Sequence, residues 1–172
     1  MDTIRGSEPM KNNTTAERTS ECETVVTRIF NGPARLVFEA WTTPAQLLRW
    51  WAPKSIGISF LSCEIDARTG GSYRFVFGHA ASEQPMAFFG RYIEVIPNAR
   101  LVWTNDEGGE GGPVTTVTFE EKDGRTLVVM HDLYPSQEAL DAAIASGSAA
   151  EMSESFEQLD ALLVTLGAGD GR

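Results

Sequence analysis

The stretch from Gly57 to Leu133 constrains the fold most, because turn chemistry interrupts it too often for a long helix to form. Six segments rich in β-branched and aromatic residues lie between the breaks, at 57–66, 72–78, 86–96, 100–106, 114–122 and 125–133. The breaks are Arg68-Thr69-Gly70-Gly71, a polar loop around 81–85, Pro97-Asn98-Ala99, the glycine-rich run 107–112 and Asp123-Gly124. Connections this short join antiparallel neighbours, so the segments form a meander. Asp123-Gly124 is a strong two-residue hairpin signal.

The flanks complete the fold. Residues 22–30 (CETVVTRIF) read as another strand. Asn31-Gly32-Pro33 then opens a helix over 34–41, with Asn31 or Gly32 as its cap. Thr43 and Pro44 open a second helix, AQLLRWW, which Pro53 ends. Helical pattern returns at 136–145 and again from Ser148, where Ser148 and Glu151 make a capping box. Met152, Phe156, Leu159, Leu163 and Leu166 give this last helix one apolar face, and Gly167 is its C-terminal cap. A one-sided antiparallel sheet must be covered, and the last helix is the element long enough to cover it. The predicted class is α+β, a helix-grip fold. It has a seven-stranded curved antiparallel sheet, two short helices between strands one and two, and a long C-terminal helix packed across the sheet. Residues 1–21 are expected to be a flexible polar tail, 22–167 a single domain and 168–172 a C-terminal tail.

Composition narrows function. Lys and Arg number 14 against 24 Asp and Glu, a formal charge of −10. That balance disfavours nucleic acid and anionic membrane as partners held by bulk electrostatics. Two Cys and two His, scattered along the chain, cannot build a closed zinc site. No metal or cofactor is expected, and Cys22 and Cys63 are read as reduced thiols, a cross-strand disulfide being the other reading. The first residues lack the apolar core of a signal peptide, and no run of 18 apolar residues occurs, so a cytoplasmic location without membrane insertion is expected. The run Gly108-Gly109-Glu110-Gly111-Gly112 lacks Lys and precedes a strand, so it reads as a hairpin loop and not as a phosphate cradle.

Alternation along the strands predicts an inner wall. Tyr73, Phe75 and Phe77 share one face; so do Leu101, Trp103 and Asn105; so do Val117 and Phe119; and so do Leu127, Val129 and His131. The helix residues Met152, Phe156, Leu159 and Leu163 are expected opposite. Trp50 and Trp51 are expected to divide, one ring packing inward with Trp41 and Leu47 and the other lying over a cavity mouth or staying partly exposed, while Lys54 turns to solvent. An apolar, aromatic wall with a few polar tips is the usual make-up of a small-molecule pocket, and the same residues also suit a filled core. The candidate ligand-binding set is Trp51, Tyr73, Phe75, Phe77, Trp103, Phe119, Val129, His131, Met152, Phe156 and Leu159, with no catalytic residue assigned. His131 is the main polar candidate, either for a ligand or as a structural histidine bonded to a neighbour such as Tyr134. His79 reads as an exposed loop residue. Arg74 and Arg91 read as carboxylate anchors or as outer-face residues, and Glu64 with Asp66 as a solvated pair or, if desolvated, an acid/base pair.

Several runs also resemble one family. These are TRIFNGPARLVFEAWTTPAQLLRWWAPK, TGGSYRF, GRYIEVIPNARLVWT, the hairpin through HDLYPSQEALDAA, and SESFEQLDALL. Together they are similar to the activator of heat-shock protein 90 ATPase homologue-like family of the START-like, birch-pollen-allergen-like superfamily, over about residues 23–166. The specific marks are Trp50-Trp51 with Pro53, Gly70-Gly71-x-Tyr73-Arg74-Phe75, and Gly90-x-Tyr92-x-Glu94 with Pro97 and Leu101. One departure stands out: where members often carry Gly-Trp near the start of the last helix, this chain has Glu151-Met152. Three functions are open. The first, carried by the curved sheet, the long apolar helix and the aromatic lining, is non-catalytic binding of a hydrophobic small molecule, aromatic or lipid-like; the resemblance implies the other two. The second is co-chaperone-like action in stress response, disfavoured here because larger activators carry a separate N-terminal domain where this chain has about 20 polar residues. The third is a cyclase- or hydrolase-type enzyme, for which His131, Tyr73, Arg74 and Asp132 are the available groups. A homodimer is also compatible with the family.

Overall fold

The structure is a computed structural model and describes residues 14–52, 57–79, 82–106, 109, 111–145 and 148–166. Its strands are β1 (Thr15–Arg18), β2 (Glu23–Phe30), β3 (Ile58–Ile65), β4 (Ser72–His79), β5 (Ser82–Ile96), β6 (Arg100–Thr104), β7 (Val114–Lys122) and β8 (Arg125–Leu133). Its helices are α1 (Ala34–Thr42), α2 (Pro44–Leu47), α3 (Gln137–Ala145) and α4 (Ser148–Thr165). All eight strands join one antiparallel sheet in the order β1-β2-β8-β7-β6-β5-β4-β3.

Among the described residues the sheet therefore has eight strands and not seven. The added strand is β1, which lies in the stretch read as a polar tail and pairs with β2 from Thr15↔Thr27 to Arg18↔Thr24. Its four residues are all exposed, so it carries no apolar alternation to announce it. Backbone pairing holds it, and Arg18 closes the turn by donating to the carbonyls of Ser20 (3.2 Å) and Glu21 (3.0 Å).

Turn chemistry sets the β7–β8 hairpin as expected, but the polar loop read around 81–85 is corrected: β5 already begins at Ser82, which pairs with His79. Asp123 (φ 57°) and Gly124 (φ 78°) both take the left-handed region, as a type I′ hairpin turn demands. Gly90 has a different purpose. A Cβ there would lie 2.0 Å from the Thr104 carbonyl oxygen, so only glycine lets β5 approach the end of β6. Gly71 is equally tight against the Asp66 carbonyl.

The two short helices depart from expectation in detail. Pro33 occupies the cap position of α1, and neither Asn31 nor Gly32 does. The carboxylate of Glu121, on β7, accepts from the Ala34 amide at 2.9 Å and performs the capping. Helix α2 stops at Leu47, and Leu48–Trp50 continue as turn. His79 belongs to strand β4 and not to a loop; its side chain lies outside the described residues, as do Pro53, Lys54 and Gly167.

Helix α4 begins at Ser148 and carries its apolar face across the sheet. Phe156, Leu159, Leu162 and Leu163 are buried with Phe30, Val37, Trp41, Trp50 and Leu101 in one core. One charged pair lies beneath this helix. Arg28 points to the inner face of β2, is only 6% exposed, and donates to Asp160 on α4 at 2.6 Å and to Thr14 at 2.8 Å. Its guanidinium also sits 5.6 Å from the Phe30 ring centre. Removing the partner of a buried charge leaves that charge without compensation. Asp160→Ala is expected to destabilise the fold by about 3 kcal/mol, read as a shift of the urea midpoint. A loss below about 0.5 kcal/mol, typical of a surface pair, would show that water and not Asp160 solvates Arg28.

Candidate functional site

The site is organised by the turn after α2. Trp50 is fully buried, and its indole N–H donates to the Ala40 carbonyl at 2.8 Å, satisfying an acceptor in the last turn of α1. Three successive carbonyls then face helix α4. The Ser155 hydroxyl donates to Trp51 (2.8 Å), and the Gln158 amide donates to Trp50 and Ala52 (3.0 Å each). This clamp holds Trp50 in the core, 4.8 Å from the Trp41 ring centre, and leaves Trp51 half-buried. Trp51 stacks edge-on against Trp41 (6.1 Å) and Phe75 (5.8 Å). The expected division between the two rings is what the structure shows: Trp50 is core and Trp51 is cavity wall.

Two cavities meet at Trp51. The larger, about 500 Å³, lies between the inner face of β1, β2, β8, β7 and β6 and helix α3. Its apolar lining includes Val26, Met130, Leu140, Ile144, Trp51 and Trp103; its polar lining includes Thr24, Asn105, Thr115, Asp132 and Tyr134. The smaller, about 170 Å³, is lined by Trp41, Leu47, Tyr73, Phe75, Phe88 and Tyr92. Trp51, Trp103 and Asn105 line both. Ile144 is 49% exposed, which puts the outer rim of the larger cavity at α3.

A chain of hydrogen bonds runs along the shared wall. The Tyr73 hydroxyl donates to the Thr104 carbonyl at 2.7 Å and lies 3.4 Å from Asn105 Oδ1. Asn105 Nδ2 donates to Thr115 Oγ1 (3.0 Å) and to the Pro113 carbonyl (3.0 Å). Thr115 in turn donates to Asp132 Oδ1 at 2.5 Å. Burial is the main cause that raises the Asp132 carboxyl above its ordinary value of 3.8, opposed by the Thr115 hydrogen bond and by His131. Burial also pushes the Tyr134 hydroxyl up to about 12, with the Asp132 charge adding to it. Cys63 is pushed up to about 11, again mainly by burial, which makes it a poor nucleophile. Cys22 and Cys63 are both free thiols.

Of the candidate residues, the structure places Trp51 and Trp103 in both cavities, and Tyr73 and Phe75 in the smaller one. Phe77 and Phe119 do face inward, but they are consumed by packing. Phe77 lies 4.9 Å from Phe88, and Phe119 lies 5.4 Å from Phe38. Phe156 and Leu159 are fully buried core residues of α4 and line neither cavity. The side chain of Met152 lies outside the described residues.

Val129 and His131 require correction, because they point to the outer face. The inner face of β8 carries Thr126, Val128 and Met130, all buried. The two-residue turn pairs Lys122 with Arg125, so Phe119 opposes Val128 and Val117 opposes Met130. His131 instead pairs with Glu23 on β2, 3.0 Å away, and that contact, after a hydrogen bond from Ser20, lowers the Glu23 carboxyl. Asp132, one residue on, reaches the cavity. Arg74 lies on the outer face over the Phe89 ring (5.4 Å), Arg91 is exposed 3.7 Å from Asp106, and Glu64 and Asp66 are exposed. The residues missed were Asn105's role in the shared wall, Thr115, Met130 and helix α3.

A curved antiparallel sheet gripping a long helix, with cavities under its inner face, defines the helix-grip class. The chain belongs to the activator of Hsp90 ATPase homolog 1-like protein family, whose pattern matches residues 31–164. A solved structure of a protein from Rhodobacter sphaeroides is similar with a TM-score of 0.81 and 26% identity, over 89% of this chain and 99% of that one. A protein from Chromobacterium violaceum is similar at 0.70 and 28%, over 81% and 96%. An AHSA1-like protein from Aeromonas hydrophila shares the fold at 0.65 and 16%, over 84% and 94%. No curated protein matches the chain. Among the described residues no helix is long and apolar enough to cross a membrane.

The raised Asp132 carboxyl has a signed consequence. The folded chain holds this proton more tightly than the unfolded chain. The contribution of Asp132 to stability therefore falls as pH rises from its ordinary value through the raised one. Asp132→Asn removes that loss, since its amide oxygen still accepts from Thr115. Relative to wild type, the variant is expected to gain stability between about pH 3 and about pH 7, read from urea midpoints at both values. A difference that stays constant across that range would contradict the assignment.

Proposed function

We propose that this protein binds a hydrophobic small molecule without transforming it, in the paired cavities around Trp51 and Trp103. The single observation that carries this reading is the pair of neighbouring cavities, about 500 and 170 Å³, with two tryptophans lining both. Volumes of this order suit a compact ligand, and apolar walls with a few converging polar groups are the usual composition of such sites. The expected location shifts from the C-terminal helix to α3. The part of α4 that was to line the cavity, Phe156 and Leu159, is close-packed, whereas Leu140, Ala143 and Ile144 of α3 line the larger space. Family membership fits a ligand-binding fold. The enzymatic reading loses its chief support with His131, which lies on the far face of the sheet against Glu23.

A neutral apolar fluorophore, N-phenyl-1-naphthylamine, is expected to bind saturably, with fluorescence enhancement. Trp51→Ala is expected to weaken this binding about tenfold, as truncation of a large aromatic wall does. Linear, non-saturating enhancement in the wild type, or an unchanged affinity in the variant, would overturn the proposal.

A further inference from the structure

The larger cavity holds an incomplete electrostatic arrangement. Asn105 Nδ2 donates to Thr115 Oγ1, and the one hydroxyl proton of Thr115 goes to Asp132 Oδ1. The chain therefore runs in one direction and ends on the carboxylate. No donor among the described residues reaches its second oxygen, Oδ2, while Asp132 lines the cavity.

The neighbouring charges do not complete it. Arg18 is the one cationic residue among the described residues that line this space, and its three nitrogens are engaged elsewhere: Nη1 with Asp141 of α3 (2.9 Å), Nε with the Ser20 carbonyl and Nη2 with the Glu21 carbonyl. Glu17, on the same strand, adds a second carboxylate to the lining. His131 adjoins Asp132 in sequence but projects from the opposite face to Glu23. Tyr134 lines the cavity with its hydroxyl proton held on. Among the described residues the lining thus offers carboxylates and aromatic side chains, and no cation committed to Asp132. A carboxylate in a largely apolar space is costly without a partner. Trp51, Trp103 and Tyr134, which line the cavity, are aromatic side chains of the kind whose π faces attract cations. The chain's formal charge of −10 raises cation concentration near its surface.

We propose that the larger cavity takes an amphipathic amine, its ammonium on Asp132 Oδ2 and its apolar body between Trp51 and Trp103. This inference rests on the reading of the cavity as a ligand site. It excludes anionic amphiphiles such as fatty acids, which would set a second carboxylate beside Asp132 and Glu17.

Three naphthalene probes of matched shape separate the possibilities by isothermal titration calorimetry on the full chain: 2-naphthylmethylamine, 2-naphthylmethanol and 2-naphthoate. The amine is expected to bind about tenfold more tightly than the alcohol, as a charge-assisted hydrogen bond allows, with the carboxylate weakest. Asp132→Asn is expected to abolish the amine's advantage and to leave the alcohol within about twofold. Equal binding of amine and alcohol by the wild-type protein overturns the amine proposal and leaves the apolar ligand site standing; this comparison needs no variant. An amine preference that survives in Asp132→Asn also overturns it. Failure of all three probes to bind overturns both readings.

Discussion

The rest of this structure depends on how helix α4 holds the turn after α2. A turn that leaves a helix exposes carbonyls with no intrahelical donors, and here three of them in succession point at α4. Ser155 and Gln158, one helical turn apart on the face that carries Phe156 and Leu159, supply the donors. With the backbone fixed, adjacent side chains must diverge. Trp50 enters the core and closes the end of α1 through Ala40, and Trp51 is directed between the two cavities. The same few bonds therefore unite fold and site.

That coupling explains why the cavities lie where they do. The aromatic cluster of Trp41, Trp50, Phe119 and Phe156 fills the space under α4, with ring centres about 5–6 Å apart. The remaining width of the curved sheet extends past this plug in two directions. One leads under α3 toward β1, and the other toward β4 and β5. Trp103 and Asn105 stand at the junction, and the Tyr73–Asn105–Thr115–Asp132 bonds carry polar groups across an otherwise apolar wall. Such a chain is strongest when each member has a partner, and among the described residues no donor reaches Asp132 Oδ2, on a residue that lines the larger cavity.

Much of the fold was legible because turn residues leave little choice. Asp123-Gly124 fixes β7 and β8 to the residue, and Gly90 and Gly71 mark where strands approach too closely for a Cβ. Strand β1 was illegible, since four exposed residues held by backbone pairing leave no hydrophobic pattern. The face of β8 was misread for a different reason. Leu127-Val128-Val129-Met130 is apolar on both sides, so alternation alone cannot choose a face. The clear alternation of β7, carried through the two-residue hairpin, selects Val128, Met130 and Asp132 in place of Val129 and His131. Arg28 escaped notice because an inward arginine is visible only once Asp160 is brought over it. The site was legible in its aromatic half, Trp51, Tyr73, Phe75 and Trp103, and not in its polar half.

The central claim is that Trp50 and Trp51 have separate duties, one structural and one at the ligand wall. The chain has four tryptophans, hence four indole N–H signals in a nitrogen-15 correlation spectrum. Titration with a neutral apolar ligand is predicted to move the Trp51 and Trp103 signals most. The Trp50 signal, bonded to Ala40, is predicted to stay near its free position and to exchange most slowly with deuterium. A titration in which Trp50 moves most, or in which Trp51 and Trp103 do not respond while the ligand binds, would contradict the account.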